Sequence, residues 1–191
     1  MAARSGSSRH SAVNVPAYAE IHLSHIYSFP PLESPAARRL ILGSMPGRAS
    51  LSAQQYYAHP RNHFWHFMDL VLGVPEAAPY EERCRALVAT DTAVWDVLKA
   101  CTRSSSLDAD IDESSIVAND FEAFLSAHPQ VRCIYFNGAK AESVYRRYVL
   151  PGLPPPLAGI ASQRLPSTSP ANAGIPFGTK LRQWQLITRT G

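Results

Sequence analysis

The sequence contains little cysteine and no long apolar segment, and these absences narrow the classes of protein that it can encode. Its three cysteines, Cys84, Cys101 and Cys133, lie far apart and form no Cys-x-x-Cys pair. This spacing indicates neither a disulfide framework nor a zinc ribbon. No run approaches the roughly 18 apolar residues that a membrane-spanning helix needs, and the N-terminus lacks the apolar core of a secretory signal. We therefore expect a cytoplasmic protein without a membrane partner.

The chain also carries little net charge, at +3 over 191 residues. This mild excess permits a polyanionic partner without requiring one. An apolar content of 46% is enough to build a full core in one domain. Residues 1–12 are rich in Arg and Ser and contain no acidic residue, which is typical of a disordered tail or of a transit peptide. We predict a disordered tail over residues 1–16 and a single, monomeric domain over residues 17–191.

One stretch near the start of this domain organises the rest. An apolar run over residues 39–42 stops at Gly43, and Pro46-Gly47 then excludes both helix and paired strand. The pattern predicts a buried strand over residues 39–43 that leads into a tight glycine loop. Apolar residues then recur at helical spacing, which predicts a helix over residues 63–72.

Strand-like and helix-like segments alternate further along the chain. The predicted strands cover residues 92–98, 131–136 and 157–160. The predicted helices cover residues 81–89, 121–127, 139–148 and 177–187. We predict residues 102–119, which are polar and rich in serine, to be a loop. This alternation is typical of a three-layer α/β/α sandwich around a short, mainly parallel four-stranded sheet.

The linker between the glycine loop and the first helix is dense in hydrogen-bonding and aromatic side chains. Ligands of open α/β sheets bind outside the carboxyl ends of the strands, so we expect the loop and the helix start to face one cleft. The amides of Gln54, Gln55 and Asn62 are close in sequence to the rings of Tyr57 and Phe64. Flat faces beside amides suit a nucleobase.

Three segments form motifs that can be compared with known families. The first is long and specific, and reads Gly43-Ser44-Met45-Pro46-Gly47, then Ser50-Leu51, Tyr56-Tyr57-Ala58-His59-Pro60-Arg61-Asn62 and Phe64-Trp65. The others are shorter, and read Val94-Trp95-Asp96-Val97-Leu98 and Leu165-Pro166-Ser167-Thr168-Ser169-Pro170-Ala171. Together they resemble the uracil-DNA glycosylase superfamily, and within it the hypoxanthine-DNA (deoxyinosine) glycosylase branch, often called family six. The last segment is similar to the loop that this superfamily presses into the DNA minor groove.

The resemblance implies a monofunctional DNA glycosylase that acts on DNA containing deaminated bases and leaves an abasic site. It implies hypoxanthine as the favoured base and uracil as the second, with no cofactor. Some branches hold an iron–sulfur cluster on four cysteines, which this chain cannot supply, and we expect no metal. His63 and His66 are three residues apart, but no carboxylate precedes them in a metalloprotease pattern. The alternatives are a module that binds damaged DNA without chemistry and a small-nucleotide hydrolase, for which a Gly-Lys-Ser/Thr triad is missing.

The expected catalytic residues are Asn62 and Asp96. Related branches have Asp or Asn at the position of Met45. In those branches, the Asp or Asn side chain positions the attacking water. A thioether cannot do so, and the resemblance therefore moves the polar role to Asn62. Asn62 also suits a helix N-cap, and the two roles can coexist. Asp96, at a strand end, can accept the ring N–H of hypoxanthine or uracil, or it can simply cap a loop.

The candidates for contact with the base share a position on the predicted cleft: Met45, Gly47, Tyr57, Phe64 and Asn137. The resemblance implies that Phe64 stacks on the flipped base, and the alternative is core packing beside Trp65. Tyr57 is a candidate for a pocket wall or for an ordinary surface aromatic. Several branches carry a histidine where the late loop has Leu165. Help for the departing base would then come from backbone N–H groups or from Asn137.

The candidates for contact with DNA phosphates carry a positive charge or a short hydroxyl group: Arg48, Arg61, Arg164, Ser167, Ser169 and Lys180. Phosphate contacts position a protein on DNA without specifying sequence. Isolated basic residues are also common on solvated surfaces, and serines beside proline are common turn formers.

Overall fold

The computed structural model describes residues 24–104 and 110–190. The strands are β1 (Ser24–Tyr27), β2 (Arg39–Gly43), β3 (Thr92–Asp96), β4 (Leu98–Arg103), β5 (Ile111–Ala118), β6 (Cys133–Asn137) and β7 (Ala161–Leu165). The helices are α1 (Arg48–Ala53), α2 (Phe64–Leu72), α3 (Tyr80–Val88), α4 (Phe121–Ala127), α5 (Ala139–Tyr148), α6 (Pro155–Ala158) and α7 (Phe177–Trp184). Short 3₁₀ segments cover Leu150–Gly152 and Gln185–Thr190. The tail predicted over residues 1–16 lies outside the described residues.

Four strands form the central sheet, in the order β3-β2-β6-β7, and each neighbouring pair is parallel. Every residue of β2 and β3 is buried. Strands that are buried on both faces read as continuous apolar runs, and this is why β2 is recognisable from the sequence. Its predicted bounds are confirmed.

Helices cover both faces of this sheet. Leu40 and Leu42 pack in one core with residues of α4 and α5. Ile41, between them, packs in a second core with residues of α2, α3 and α7. The alternation follows from the period of two along a strand. The predicted three-layer α/β/α sandwich around a parallel four-stranded sheet is therefore confirmed.

A second, antiparallel sheet in the order β1-β4-β5 does not follow from the sequence pattern. Residues 111–118 form β5, so the loop predicted over residues 102–119 is wrong for most of its length. β5 is an edge strand, most of its residues are exposed or half-buried, and it lacks the apolar pattern of a buried strand. β4 begins at Leu98, with Val97 between it and the end of β3, and here the chain leaves the central sheet.

The last strand is displaced from its predicted position. A strand was expected over residues 157–160, whereas β7 spans Ala161–Leu165. Pro155 and Pro156 occupy the first turn of α6, where proline is favoured, and this short helix takes up the residues before the strand. Within the two described ranges, no helix is both long enough and apolar enough to cross a bilayer.

The parallel order brings the last residues of four strands to one edge of the sheet. Gly43 of β2 lies beside Asp96 of β3 in the strand register. Asn137 of β6 lies beside Leu165 of β7. The loops that follow these strands surround one cleft.

Candidate active site

The cleft at this edge has a volume of about 970 Å³. It is lined by the four strand ends, by the glycine loop after β2, by the linker before α2 and by the loop after β7. The cleft contains most of the site residues expected from the sequence: Met45, Gly47, Arg48, Tyr57, Asn62, Asp96, Asn137, Arg164, Ser167 and Ser169. Phe64 and Arg61 do not line it.

The start of the glycine loop is held by the chain that links the two sheets. The Gly43 carbonyl accepts a hydrogen bond from the N–H of Val97 at 2.9 Å, and the Ser44 carbonyl accepts one from the N–H of Leu98 at 3.1 Å. Met45 follows with 7% of its surface exposed, and its side chain packs into the core while it lines the cleft. The loop is therefore fixed by its backbone, and Met45 contributes shape without charge.

Asp96 approaches the backbone of Gly43 closely. A β-carbon at Gly43 would lie 2.4 Å from Oδ1 of Asp96 and 3.2 Å from the hydroxyl oxygen of Tyr57. Glycine is thus required for this arrangement. Asp96 is 3% exposed, and its backbone carbonyl accepts a hydrogen bond from the side-chain amide of Asn119 at 2.8 Å. Burial raises the pKa of the neighbouring Tyr56, and the negative charge of Asp96 raises it further.

The two aromatic residues expected to contact the base, Tyr57 and Phe64, lie at different depths. Phe64 is fully buried, and Tyr57 stacks on it with ring centroids 3.9 Å apart and planes 21° apart. Tyr57 lines the cleft, so a base in the cleft would meet the ring of Tyr57. The structure therefore does not bring Phe64 to the surface of the cleft, where it was predicted to stack on the base. Phe64 packs in the core, where its ring is edge-on to Trp65.

Asn62 lies one residue before His63, which is the N-cap of α2, so the N-cap predicted at Asn62 falls on the next residue. Oδ1 of Asn62 accepts a hydrogen bond from the N–H of Phe64 at 3.0 Å, at the start of α2. Because a backbone N–H can only donate, this bond assigns the oxygen and directs Nδ2 elsewhere. The same residue lines the cleft. A rigidly held amide at this point can bind a base or a water molecule.

Asn137 and Thr168 connect the late loop to the central sheet. Nδ2 of Asn137 donates to Oγ1 of Thr168 at 2.9 Å, and the N–H of Thr168 donates to Oδ1 of Asn137 at 2.9 Å. The Thr168 carbonyl accepts a hydrogen bond from the N–H of His63 at 3.1 Å. Thr168 is fully buried. It was not among the predicted site residues, and its place in the late motif is the signal that could have identified it.

Lys180 does not lie where a phosphate contact requires it. It is 2% exposed, and its ammonium group donates to the Ser167 carbonyl at 3.0 Å and to the Asn172 carbonyl at 2.6 Å. The expectation of a phosphate contact is wrong, because the charge lies behind the loop. Burial lowers the pKa of Lys180. Burial also lowers the pKa of His63, and the positive charge of Lys180 lowers it further.

The two serines of the late loop serve as turn formers. Oγ of Ser167 accepts the N–H of Ser169 at 3.2 Å, and Oγ of Ser169 accepts the N–H of Ala171 at 3.2 Å. A hydroxyl that accepts a hydrogen bond still carries a hydrogen of its own to donate. Both serines line the cleft, so the turn and a phosphate contact are compatible.

The arginines differ in their surroundings. Arg48 is exposed and lines the cleft, and Arg61 is exposed outside it. Arg164 lines the cleft, but its guanidinium is 3.4 Å from the carboxylate of Glu142. A phosphate at Arg164 would therefore compete with this ion pair.

The histidines near the start of α2 are not grouped with other metal ligands. Nδ1 of His66 is 2.6 Å from the carboxylate of Glu76, and the ring of His63 is edge-on to Phe177. Across residues 24–104 and 110–190, no three His, Cys, Asp or Glu side chains come together as a metal site.

Comparison with known proteins agrees with this geometry. The model of the uracil DNA glycosylase superfamily matches residues 30–184. A Methanosarcina acetivorans protein named hypoxanthine DNA glycosylase is 35% identical over 162 residues, which are 84% of this chain and 96% of the relative. A Methanosarcina barkeri protein of the same name is 35% identical over 114 residues, 59% of this chain and 71% of the relative.

The fold also matches a solved structure. A solution NMR structure from Methanosarcina acetivorans, provisionally described as a uracil DNA glycosylase, has a TM-score of 0.73 and 32% identity to this chain. The match covers 87% of this chain and 98% of the other. The family model spans most of the chain, including the glycine loop, the linker and the late loop that form the cleft. The chain therefore belongs to the uracil DNA glycosylase superfamily and is a DNA glycosylase.

Proposed function

We propose that the protein hydrolyses the N-glycosidic bond of deoxyinosine in DNA, releasing hypoxanthine and leaving an abasic site, with uracil as a second substrate. The observation that carries the proposal is the meeting of Tyr57, Asn62 and Asp96 in one cleft at the carboxyl edge of the sheet. The names of the two curated relatives support hypoxanthine as the base.

The cleft suits a purine that has been rotated out of the duplex. Such a base needs a flat apolar face and polar groups at its edge. Tyr57 offers the face, and its stacking on Phe64 holds the ring in place. Asp96 can accept the ring N–H that hypoxanthine and uracil carry and that adenine and cytosine lack. This contact would favour hypoxanthine over adenine and uracil over cytosine, the bases from which they form by deamination.

Hydrolysis needs a water molecule and an acceptor for negative charge. The bond between C1′ and N9 breaks, and its electron pair leaves with the base. The sugar, briefly oxocarbenium-like, takes the oxygen of water at C1′, and the proton that water loses balances the one that the released base gains. We assign the water to the amide of Asn62, which the N–H of Phe64 holds in place.

The remaining cleft residues position the DNA and the departing base. Asn137 fixes the late loop through Thr168 and can direct its second amide hydrogen at the base. Arg48 and the hydroxyl groups of Ser167 and Ser169 are placed to contact phosphates that flank the flipped nucleotide. Rotating the nucleotide out costs a few kcal/mol, least for a mispaired base, so these contacts must offset that cost.

A duplex with a single inosine tests the proposal. The duplex is incubated with the protein and heated in alkali, and a break at the lesion requires removal of the base. We expect a break that grows with time. An intact strand, together with a shifted band on a native gel, would show binding without chemistry and would contradict the proposal. Matched duplexes with uracil, xanthine or no damage rank the substrates, and uracil ahead of inosine would reverse the proposed preference.

Asn62→Ala tests the assignment of the water. Loss of the correct position of a reactant can cost about 100-fold, so we expect a loss of that order in the single-turnover rate. The substitution also removes the bond to the N–H of Phe64, which costs about 1 kcal/mol of stability. Asp120→Ala is the matched control, because Oδ1 of Asp120 accepts the N–H of Ala123 at 3.0 Å at the start of α4, outside the cleft.

The two variants should lose similar stability, and only Asn62→Ala should lose rate. Equal excision rates in the two variants would remove Asn62 from catalysis. Asp96 would then be the next residue to test.

A further inference from the structure

A buried arginine in the second sheet holds the middle of the glycine loop. The guanidinium of Arg103 donates a hydrogen bond to the carbonyl of Pro46. Arg103 is the last residue of β4 and is 4% exposed. Its backbone lies between Ser24 of β1 and Ile111 of β5 in the strand register. Both neighbouring strands therefore fix the backbone from which this guanidinium extends.

The bond determines the direction of the next N–H group. The peptide between Pro46 and Gly47 is trans. In a trans peptide the C=O and the N–H point in opposite directions. The N–H of Gly47 therefore points away from Arg103. Gly47 lines the cleft and Arg103 does not, so this N–H faces the side on which the base binds.

We propose that Arg103 is a positioning residue that holds the N–H of Gly47 as a hydrogen-bond donor to the departing base. The inference rests on the proposed function, because the donor acts on a base that leaves with negative charge. A charge-assisted bond to the Pro46 carbonyl also polarises the peptide and makes its N–H a stronger donor. Met45 increases the importance of this donor, since a thioether supplies neither charge nor a hydrogen bond of comparable strength.

Arg103→Met tests the role directly. It removes the donors and keeps an unbranched side chain that can fill the buried space. Removal of one such backbone donor costs on the order of 100-fold in rate, and a donor that is only misdirected should cost about 10- to 100-fold. We expect this loss in the single-turnover excision of hypoxanthine. Affinity for a duplex with a tetrahydrofuran abasic analogue should stay within about threefold, because the donor acts mainly in the transition state.

Arg39→Met is the matched control. Arg39 is also buried, at 8% exposure, and its guanidinium donates to the Thr90 carbonyl at 3.1 Å. It is the first residue of β2 and lies at the end of the sheet away from the cleft. We expect both variants to lower the melting temperature and only Arg103→Met to lower the excision rate.

Two further substitutions keep the test decisive if Arg103→Met does not fold. Arg103→Lys keeps the charge and a donor, and should retain the rate to within about threefold to tenfold. Arg103→Gln keeps a neutral donor of shorter reach, and should be slower than Arg103→Lys. A wild-type rate in folded Arg103→Gln overturns the proposal.

A double substitution tests whether Arg103 affects the excision rate by orienting the N–H of Gly47. Gly47→Pro removes the N–H itself, and the φ of −73° at Gly47 is one that proline adopts. If Arg103 acts through this N–H, adding Arg103→Met to Gly47→Pro should slow excision no further. Losses that multiply would show that Arg103 does not act through this N–H.

The wild-type protein is assayed in every series. No excision by the wild type overturns both the proposed function and the role of Arg103. An active wild type with equal rates in Arg103→Met and Arg39→Met overturns the role of Arg103 alone.

Discussion

Gly43→Ala is a small change that should displace Asp96, the proposed contact of the base, without removing its carboxylate. A β-carbon at this position would lie 2.4 Å from Oδ1 of Asp96, whereas ordinary van der Waals contact begins at 3.4 Å. The carboxylate must therefore withdraw by about 1 Å, the difference between these two distances. Asp96 is 3% exposed, so the surrounding core resists the movement. The hydroxyl of Tyr57, 3.2 Å from the new carbon, must shift as well.

A misplacement of about 1 Å can cost roughly 100-fold in rate, equivalent to about 2.7 kcal/mol of activation free energy. Overpacking should also lower the free energy of unfolding by about 1–3 kcal/mol. The assay is single-turnover excision of hypoxanthine at a temperature where the variant is folded. Gly152→Ala is the control, because a β-carbon there meets nothing within 4 Å. A wild-type rate in folded Gly43→Ala would refute the idea that catalysis depends on the position of Asp96.

Three other changes separate the parts of the cleft. Tyr57→Ala should weaken binding of a duplex with a flipped base by about 1–3 kcal/mol, whereas Phe64→Leu should mainly lower the melting temperature; equal losses of affinity would restore Phe64 as the stacking residue. Lys180→Met removes two bonds to carbonyls of the late loop and should raise the Kd for DNA about tenfold, measured by fluorescence anisotropy. Glu142→Gln removes the negative charge that pairs with Arg164 and should tighten DNA binding. The slope of log affinity against log salt concentration should steepen by about one unit, and an unchanged slope would show that Arg164 does not reach a phosphate.

The parts of the fold that the sequence predicts are those with local signals. β2 is predictable to the residue because a continuous apolar run ends at a glycine, and both faces of the strand are buried. β5 is not predictable in this way. Its first residue, Ile111, is buried, but most of the next seven are not, and β5 lies at the edge of its sheet beside β4. Its pairing depends on β4, and sequence patterning does not report a long-range partner of that kind.

The site shows the same division. The motif predicts most of the residues that line the cleft. It does not predict that Tyr57 lines the cleft while Phe64 is buried beneath it. Tyr57 has a φ of +56°, an uncommon value for a residue other than glycine, and this conformation goes with a ring that lies over Phe64. The buried position of Lys180 depends on two carbonyls that are 13 and 8 residues away in sequence. Residue type alone marks such a lysine as surface.

The positive charge of the site lies in two places that respond differently to salt. Arg103 and Lys180 are buried behind the glycine loop and the late loop, at 4% and 2% exposure. Arg48 and Arg164, which line the cleft, are exposed. Salt screens exposed charges over about 10 Å at 0.1 M and buried charges much less. DNA affinity should therefore fall between about 50 and 200 mM salt, as counterion release requires.

The chemical step should respond differently, because the proposed donor to the departing base, the N–H of Gly47, is held by the buried Arg103. Single-turnover rates at saturating protein isolate this step from binding. We expect them to change less than about twofold over the same range of salt. A chemical step that slows in parallel with binding would show that the exposed arginines, and not the backbone donors held by Arg103, stabilise the departing base.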